Sequence, residues 1–141
     1  MRTKPKIELK NLIYVSKPSG FDDKIVDEIL RKSRENNIAS GITGALICRS
    51  DLYFQFLEGP VDSVEKTFGK IKDDKRHTEI QKLKDDITFR RLFASWAMRF
   101  DPVEKWIWSR NEIEQGLLKT ISAGDAFEVF EKLSREVDQF N

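Results

Sequence analysis

Two polar side chains sit inside apolar runs of this chain, where each needs a partner. Gln55 stands within Tyr53-Phe54-Gln55-Phe56-Leu57, and Tyr14 within Leu12-Ile13-Tyr14-Val15. Alternate side chains of a strand share a face. Tyr53, Gln55 and Leu57 then look one way, and Phe54, Phe56 and Glu58 the other. Leu12, Tyr14 and Ser16 share a face in the same manner, so Tyr14 and Gln55 meet if the two strands are neighbours facing the same side. A buried amide left unpaired costs about 1–3 kcal/mol, and one hydroxyl cannot fill all four bonding sites of a glutamine. Two solutions stand open: a backbone group or trapped water, or a polar ligand lying over the sheet. Asn36 and Asn37 aim at the same region, either as a helix stop followed by a turn or as further contacts to such a ligand. The lone Cys48 and lone His77 offer no Cys cluster, disulfide framework or His-based metal site, so no metal is expected.

The elements that must position these residues can be read from periodicity. Residues 12–16 read as a strand, and Lys17-Pro18-Ser19-Gly20 as a loop. Asp22 or Asp23 caps a helix in which Ile25, Val26, Ile29, Leu30 and Ser33 recur at helical spacing, with Asn36, Asn37 and Gly41 as its stop. Residues 41–49 and 53–58 form a hairpin. Gly59-Pro60 opens a second helix, with Val61, Val64, Phe68 and Ile71 along one side. Arg76-His77, after it, reads by itself as a surface loop. A fourth strand falls within 79–88 and a fifth at 95–100, where Trp96, Met98 and Phe100 alternate with Ala97 and Arg99. The order β-α-β-β-α-β-β predicts an α+β, ferredoxin-like sheet with both helices on one face and the first and third strands as central neighbours. After Asp101-Pro102, two short helices are expected as a cover for the bare face or for another subunit. One carries Ile113, Leu117, Leu118 and Ile121; the other carries Ala126, Phe130, Leu133, Val137 and Phe140, with Gly124 between the two. The expected division is a sensor domain at 1–102 and a helical extension at 103–141.

Composition narrows the function. The chain has 141 residues, enough for one domain with a sizeable core. Lys plus Arg number 25 against 24 Asp plus Glu, so no basic excess points to nucleic acid or anionic lipid. No apolar stretch approaches a membrane span and no signal-peptide core follows Met1, so a cytoplasmic location is expected.

Taken together, the motifs resemble those of one known family. They are Leu12-Ile13-Tyr14-Val15-Ser16, Asn36-Asn37, Gly41-Ile42-Thr43-Gly44, Phe54-Gln55-Phe56-Leu57-Glu58-Gly59, Asp74-Lys75-Arg76-His77 and Arg90-Arg91-Leu92-Phe93-Ala94-Ser95-Trp96-Ala97-Met98. In family order and near family spacing over about residues 10–100, they resemble the BLUF domain, a blue-light sensor that uses FAD. The resemblance implies a photoreceptor rather than an enzyme, with a non-covalent FAD (FMN being the alternative) between the two helices. Tyr14 would give an electron and a proton to the excited flavin, and Gln55 would bridge Tyr14 and the ring and switch its hydrogen bonds after light. Asn37 would hold the ring edge, supported by Asn36 or Ser33. Arg76 and His77 would stand near its other carbonyl, Ile29 and Ile71 would sandwich it, and Trp96 and Met98 would sense the switch. Tyr53 stands where many members carry Phe. It adds a second phenol beside Gln55 and a candidate minor electron donor. No cyclase or phosphodiesterase pattern accompanies the motifs, so the resemblance also implies a separate downstream signalling protein and a homo-oligomer. Two other readings compete: a small flavin reductase, for which no Gly-rich dinucleotide fingerprint is present, and a ferredoxin-like binding module without flavin.

Overall fold

The computed structural model describes residues 8–94 and 107–140, with side chains as far as residue 135. The predicted fifth strand with Trp96 and Met98 lies outside the described residues, as do Trp106 and the side chains of Val137 and Phe140. The elements are β1 (Leu9–Pro18), α1 (Asp23–Ser40), β2 (Thr43–Cys48), β3 (Tyr53–Pro60), α2 (Val61–Lys72), β4 (His77–Thr88), α3 (Arg110–Glu114), a 3-10 turn (Leu117–Lys119) and α4 (Ala123–Phe140). The strands form one antiparallel sheet in the order β2-β3-β1-β4. This is the expected ferredoxin-like β-α-β-β-α-β arrangement, with β1 and β3 as central neighbours. β1 and β4 both outrun their apolar segments, because Lys17 and Pro18 pair with Thr78 and His77 instead of forming a loop.

Local chemistry sets the ends of α1. The Asp22 carboxylate accepts from Ile25 N–H at 2.8 Å, an N-cap that stabilises by about 1 kcal/mol. The helix runs through Asn36 and Asn37, and of the three stop residues read from the sequence only Gly41 acts as one. Gly41 ends it in the left-handed region at φ 72°, and Ile42 N–H turns back to the Asn37 carbonyl at 2.9 Å. Asn37 is therefore an asparagine spent inside a helix, where its intrinsic preference is poor. Gly59 presses against this turn: a Cβ there would lie 2.8 Å from the Gly41 carbonyl oxygen. The glycine thus lets the exit of α1 sit on the exit of β3. Pro60 ends β3 and caps α2 from outside; the helix begins at Val61 rather than at the proline.

The two faces of the sheet carry separate cores. On one face Leu12, Tyr14 and Leu57 pack with Val64 and Phe68 of α2, while Leu46, Cys48 and Tyr53 pack with Val26 and Leu30 of α1. On the other, Ile13, Val15, Ala45, Ile47, Phe54 and Phe56 meet Ala126, Val129, Phe130 and Leu133 of α4. Phe130 stands 4.5 Å from Phe54 and 5.5 Å from Phe56 between ring centroids. The apolar stripe of α4 therefore lies on the sheet. The cover also differs from its expected shape. The left-handed Gly116 splits the first expected helix into α3 and the 3-10 turn, and Gly124 falls inside the first turn of an 18-residue α4. Arg49 anchors the start of this cover by donating to the Trp108 carbonyl at 2.8 Å while paired with Asp51.

A fully buried carboxylate fixes the end of β3. Glu58 accepts from Leu92 N–H at 2.6 Å, Phe93 N–H at 2.8 Å and the Thr43 hydroxyl at 2.9 Å. Burial raises its pKa above the ordinary 4.5, against the pull of these donors and of Arg91. A raised folded-state pKa means that the native protein holds the proton longer than the unfolded chain, so this contribution to stability falls as pH rises from about 4.5 upward. Glu58→Gln removes that dependence and misplaces one donor, at a cost of about 1–3 kcal/mol. Urea unfolding of the native protein and of Glu58→Gln at acidic and at neutral pH checks this. The stability advantage of the native protein over the variant should be larger at acidic pH than at neutral pH.

Candidate functional site

A cavity of about 650 Å³ lies between α1, α2 and the helix-facing side of the sheet, within the size range of small-molecule and cofactor sites. At its floor Tyr14 and Gln55 are direct partners across β1 and β3, and the Tyr14 hydroxyl donates to Gln55 Oε1. Both are buried, at 4% and 3% exposure. Burial, aided by neighbouring Cys48 and Asp74, pushes the Tyr14 phenol far above its ordinary pKa, so it remains a protonated donor. Its ring is fixed by Phe68 at 5.6 Å and, edge-on, by His77 at 6.1 Å.

All of the residues expected to hold a ligand line this one cavity: Tyr14, Ile29, Ser33, Asn36, Asn37, Gln55, Ile71, Arg76 and His77. Helical spacing explains how α1 contributes, since 29, 33, 36 and 37 fall on one side of it. Asn37 is 2% exposed, and its side-chain NH₂ has no hydrogen-bond partner among the described residues. Tyr53 also lines the cavity, and its buried hydroxyl is likewise unpartnered among the described residues. A protein rarely leaves such groups orphaned. A ligand with at least two acceptor atoms would satisfy both, and Ile29 and Ile71 on facing helices offer apolar contact to a flat ring. The donor set fits a flavin.

His77 is not the surface residue that its motif suggested when read alone. It opens β4 and is buried, with Nδ1 2.7 Å from the Ser16 hydroxyl and Nε2 2.6 Å from the Ile71 carbonyl. A carbonyl only accepts, so Nε2 carries a proton, and in the neutral ring Nδ1 accepts from Ser16. The imidazole thereby ties the end of α2 to β1, two residues beyond Tyr14. Arg76 is held by Asp74 through bonds of 2.6–3.1 Å. The guanidinium lowers the Asp74 pKa, and Asp74 in turn raises that of Arg76. Sequence reasoning did not single out Lys32, Lys66, Ser63 or Thr67, which line the same cavity. The signal available for the α2 members was their spacing at 63, 66, 67 and 70, beside the apolar stripe.

Comparison with known proteins points one way. The family model described as "BLUF: Sensors of blue-light using FAD" matches residues 9–99. The chain is 32% identical over 91 residues to the blue light- and temperature-regulated antirepressor BluF of Escherichia coli (strain K12), covering 64% of this chain and 23% of that protein. It is 29% identical over 94 residues to the photoactivated adenylate cyclase subunit beta of Euglena gracilis, covering 64% of this chain and 11% of that one. It thus spans less than a quarter of these curated relatives. Among solved structures, BlrB, a BLUF protein in its dark state, superposes with a TM-score of 0.73 at 28% identity, covering 93% of this chain and 98% of the other.

Proposed function

The chain belongs to the BLUF family, sensors of blue light using FAD, and from that premise we propose that it is a blue-light photoreceptor module holding a flavin non-covalently between α1 and α2. The observation that carries this reading is the buried Tyr14–Gln55 pair beside the orphaned Asn37 amide in one cavity. When bound, the flavin supplies absorption of blue light and an excited ring that accepts an electron. Tyr14 would be the donor: its phenol keeps its proton in the dark, and its hydrogen bond to Gln55 Oε1 gives that proton a way out towards the ring as the electron leaves. Gln55 then has two ways to present its amide, acceptor or donor toward Tyr14, and each gives the ring a different partner. A stronger bond from the rearranged amide to the bound ring would lower its transition energy and shift absorption to the red.

Asn37 would donate to a carbonyl at the ring edge, with Ser33 and Asn36 beside it, while Ile29 and Ile71 press on the two faces. Arg76, set by Asp74, and His77 close the far side. FAD is the proposed occupant and FMN the competing one; titration of apoprotein with each decides between them. Signalling would pass to a separate protein, with Trp96 and Met98 as further sensors of the switch. Self-association would have to use a surface other than the inward stripe of α4, because that stripe covers the sheet. Among the described residues no helix is long and apolar enough to cross a membrane, and no group of three or more His, Cys, Asp or Glu could hold a metal ion.

The test is an absorption spectrum before and after blue light. Purified or reconstituted protein is expected to be yellow and to shift reversibly to the red. Protein that takes up neither FAD nor FMN would overturn the reading.

A further inference from the structure

Tyr53 is a phenol where an apolar ring would suffice for packing. It is 4% exposed, it pairs with Ser16 on β1 and Cys48 on β2, and its ring is set by Phe21 at 6.4 Å and His77 at 6.3 Å. All of this a phenylalanine could also do. The hydroxyl alone distinguishes the residue; it is buried and without a partner among the described residues, on a side chain that lines the cavity. An orphaned hydroxyl is unfavourable relative to an apolar group of the same shape. We propose that Tyr53 is a further binding residue of this site, donating a hydrogen bond to an acceptor atom of the bound flavin. This rests on the flavin-binding reading above.

The binding role follows from count and placement. Among the described residues Tyr53 and Asn37 are both unpartnered donors on side chains that line one cavity, from β3 and α1, and one ligand bearing several acceptors would satisfy both. The phenol keeps its proton, since burial pushes its pKa upward.

Riboflavin is the probe, because it presents the ring without phosphate. Apoprotein is titrated with it, following the quenching of flavin fluorescence, for the native chain and for Tyr53→Phe. The variant is expected to bind roughly 2- to 10-fold more weakly, while its apo form unfolds at the same or higher urea concentration. Equal affinity would show that the hydroxyl meets only water and would overturn the binding role. Loss of the red shift in the native protein, with riboflavin still bound, would instead sink the photoreceptor reading and leave the Tyr53 affinity difference to decide its own question.

Discussion

Gln55→Leu is expected to bind flavin and to show no light-induced red shift at all. Leucine fills a similar volume but has neither the acceptor that takes the Tyr14 proton nor the donor that can rebond to the ring. The dark site changes less. Tyr14 loses the acceptor of its hydroxyl, and an unsatisfied buried hydroxyl costs about 1–3 kcal/mol, partly offset by the gain of an apolar side chain. That leaves the fold intact if the domain has an ordinary stability of about 5–15 kcal/mol. Flavin affinity should fall by no more than about tenfold, the worth of one lost hydrogen bond. The measurement is the light-minus-dark difference spectrum at matched flavin occupancy. A difference spectrum of native amplitude would mean that Gln55 is structural and that the spectral change originates elsewhere. Tyr14→Phe should show the same loss for a different reason, because the hydroxyl that supplies the proton is gone.

Most of what positions this pair was legible because strands and helices announce their faces. The alternation along Tyr53 to Glu58 separates Gln55 from Phe54 and Phe56, and the structure puts those sets on opposite sides of the sheet. The site residues on α1 follow from a single helical side. Where the pattern failed, a local irregularity explains it. The ends of β4 were hard to read because its apolar residues, Ile80, Leu83 and Ile87, are spaced by three and four, as in a helix. Two register shifts against β1 account for this, and Glu79 adopts φ 52° at one of them. The broken first helix of the C-terminal cover turned on the left-handed Gly116, which an apolar periodicity does not register. His77 was illegible for another reason: its importance lies in bonds to Ser16 and Ile71, neither of which any motif ties to it. The unpartnered state of Tyr53 is likewise a property of three-dimensional packing, although the presence of a phenol on that face was readable.

Phe130→Ala is expected to release α4 from the sheet while leaving the photochemistry unchanged. Phe130 is fully buried and packs on Phe54 and Phe56, the two residues that flank Gln55 in sequence and point to the other side of β3. A movement of the β3 backbone that accompanies a rebonded Gln55 is therefore felt by α4 directly, through one strand. Swinging a helix-docking equilibrium from 10:90 to 90:10 takes about 2.6 kcal/mol, comparable to one or two buried hydrogen bonds. The Gln55 switch is thus strong enough to bias the docking of α4, and a partial swing is the natural outcome. Truncating Phe130 to Ala costs about 3–5 kcal/mol of packing and cavity energy, more than the switch itself can supply. If that cost falls on local undocking, amide exchange in α4 should speed up by about 10²- to 4 × 10³-fold, at about 1.4 kcal/mol per factor of ten. Light should then no longer alter it. The flavin cavity lies on the opposite face and keeps its lining, so the red shift should persist. Two outcomes would overturn this route: native protection in α4 of the variant, or a light-dependent change in α4 exchange that survives the loss of Phe130.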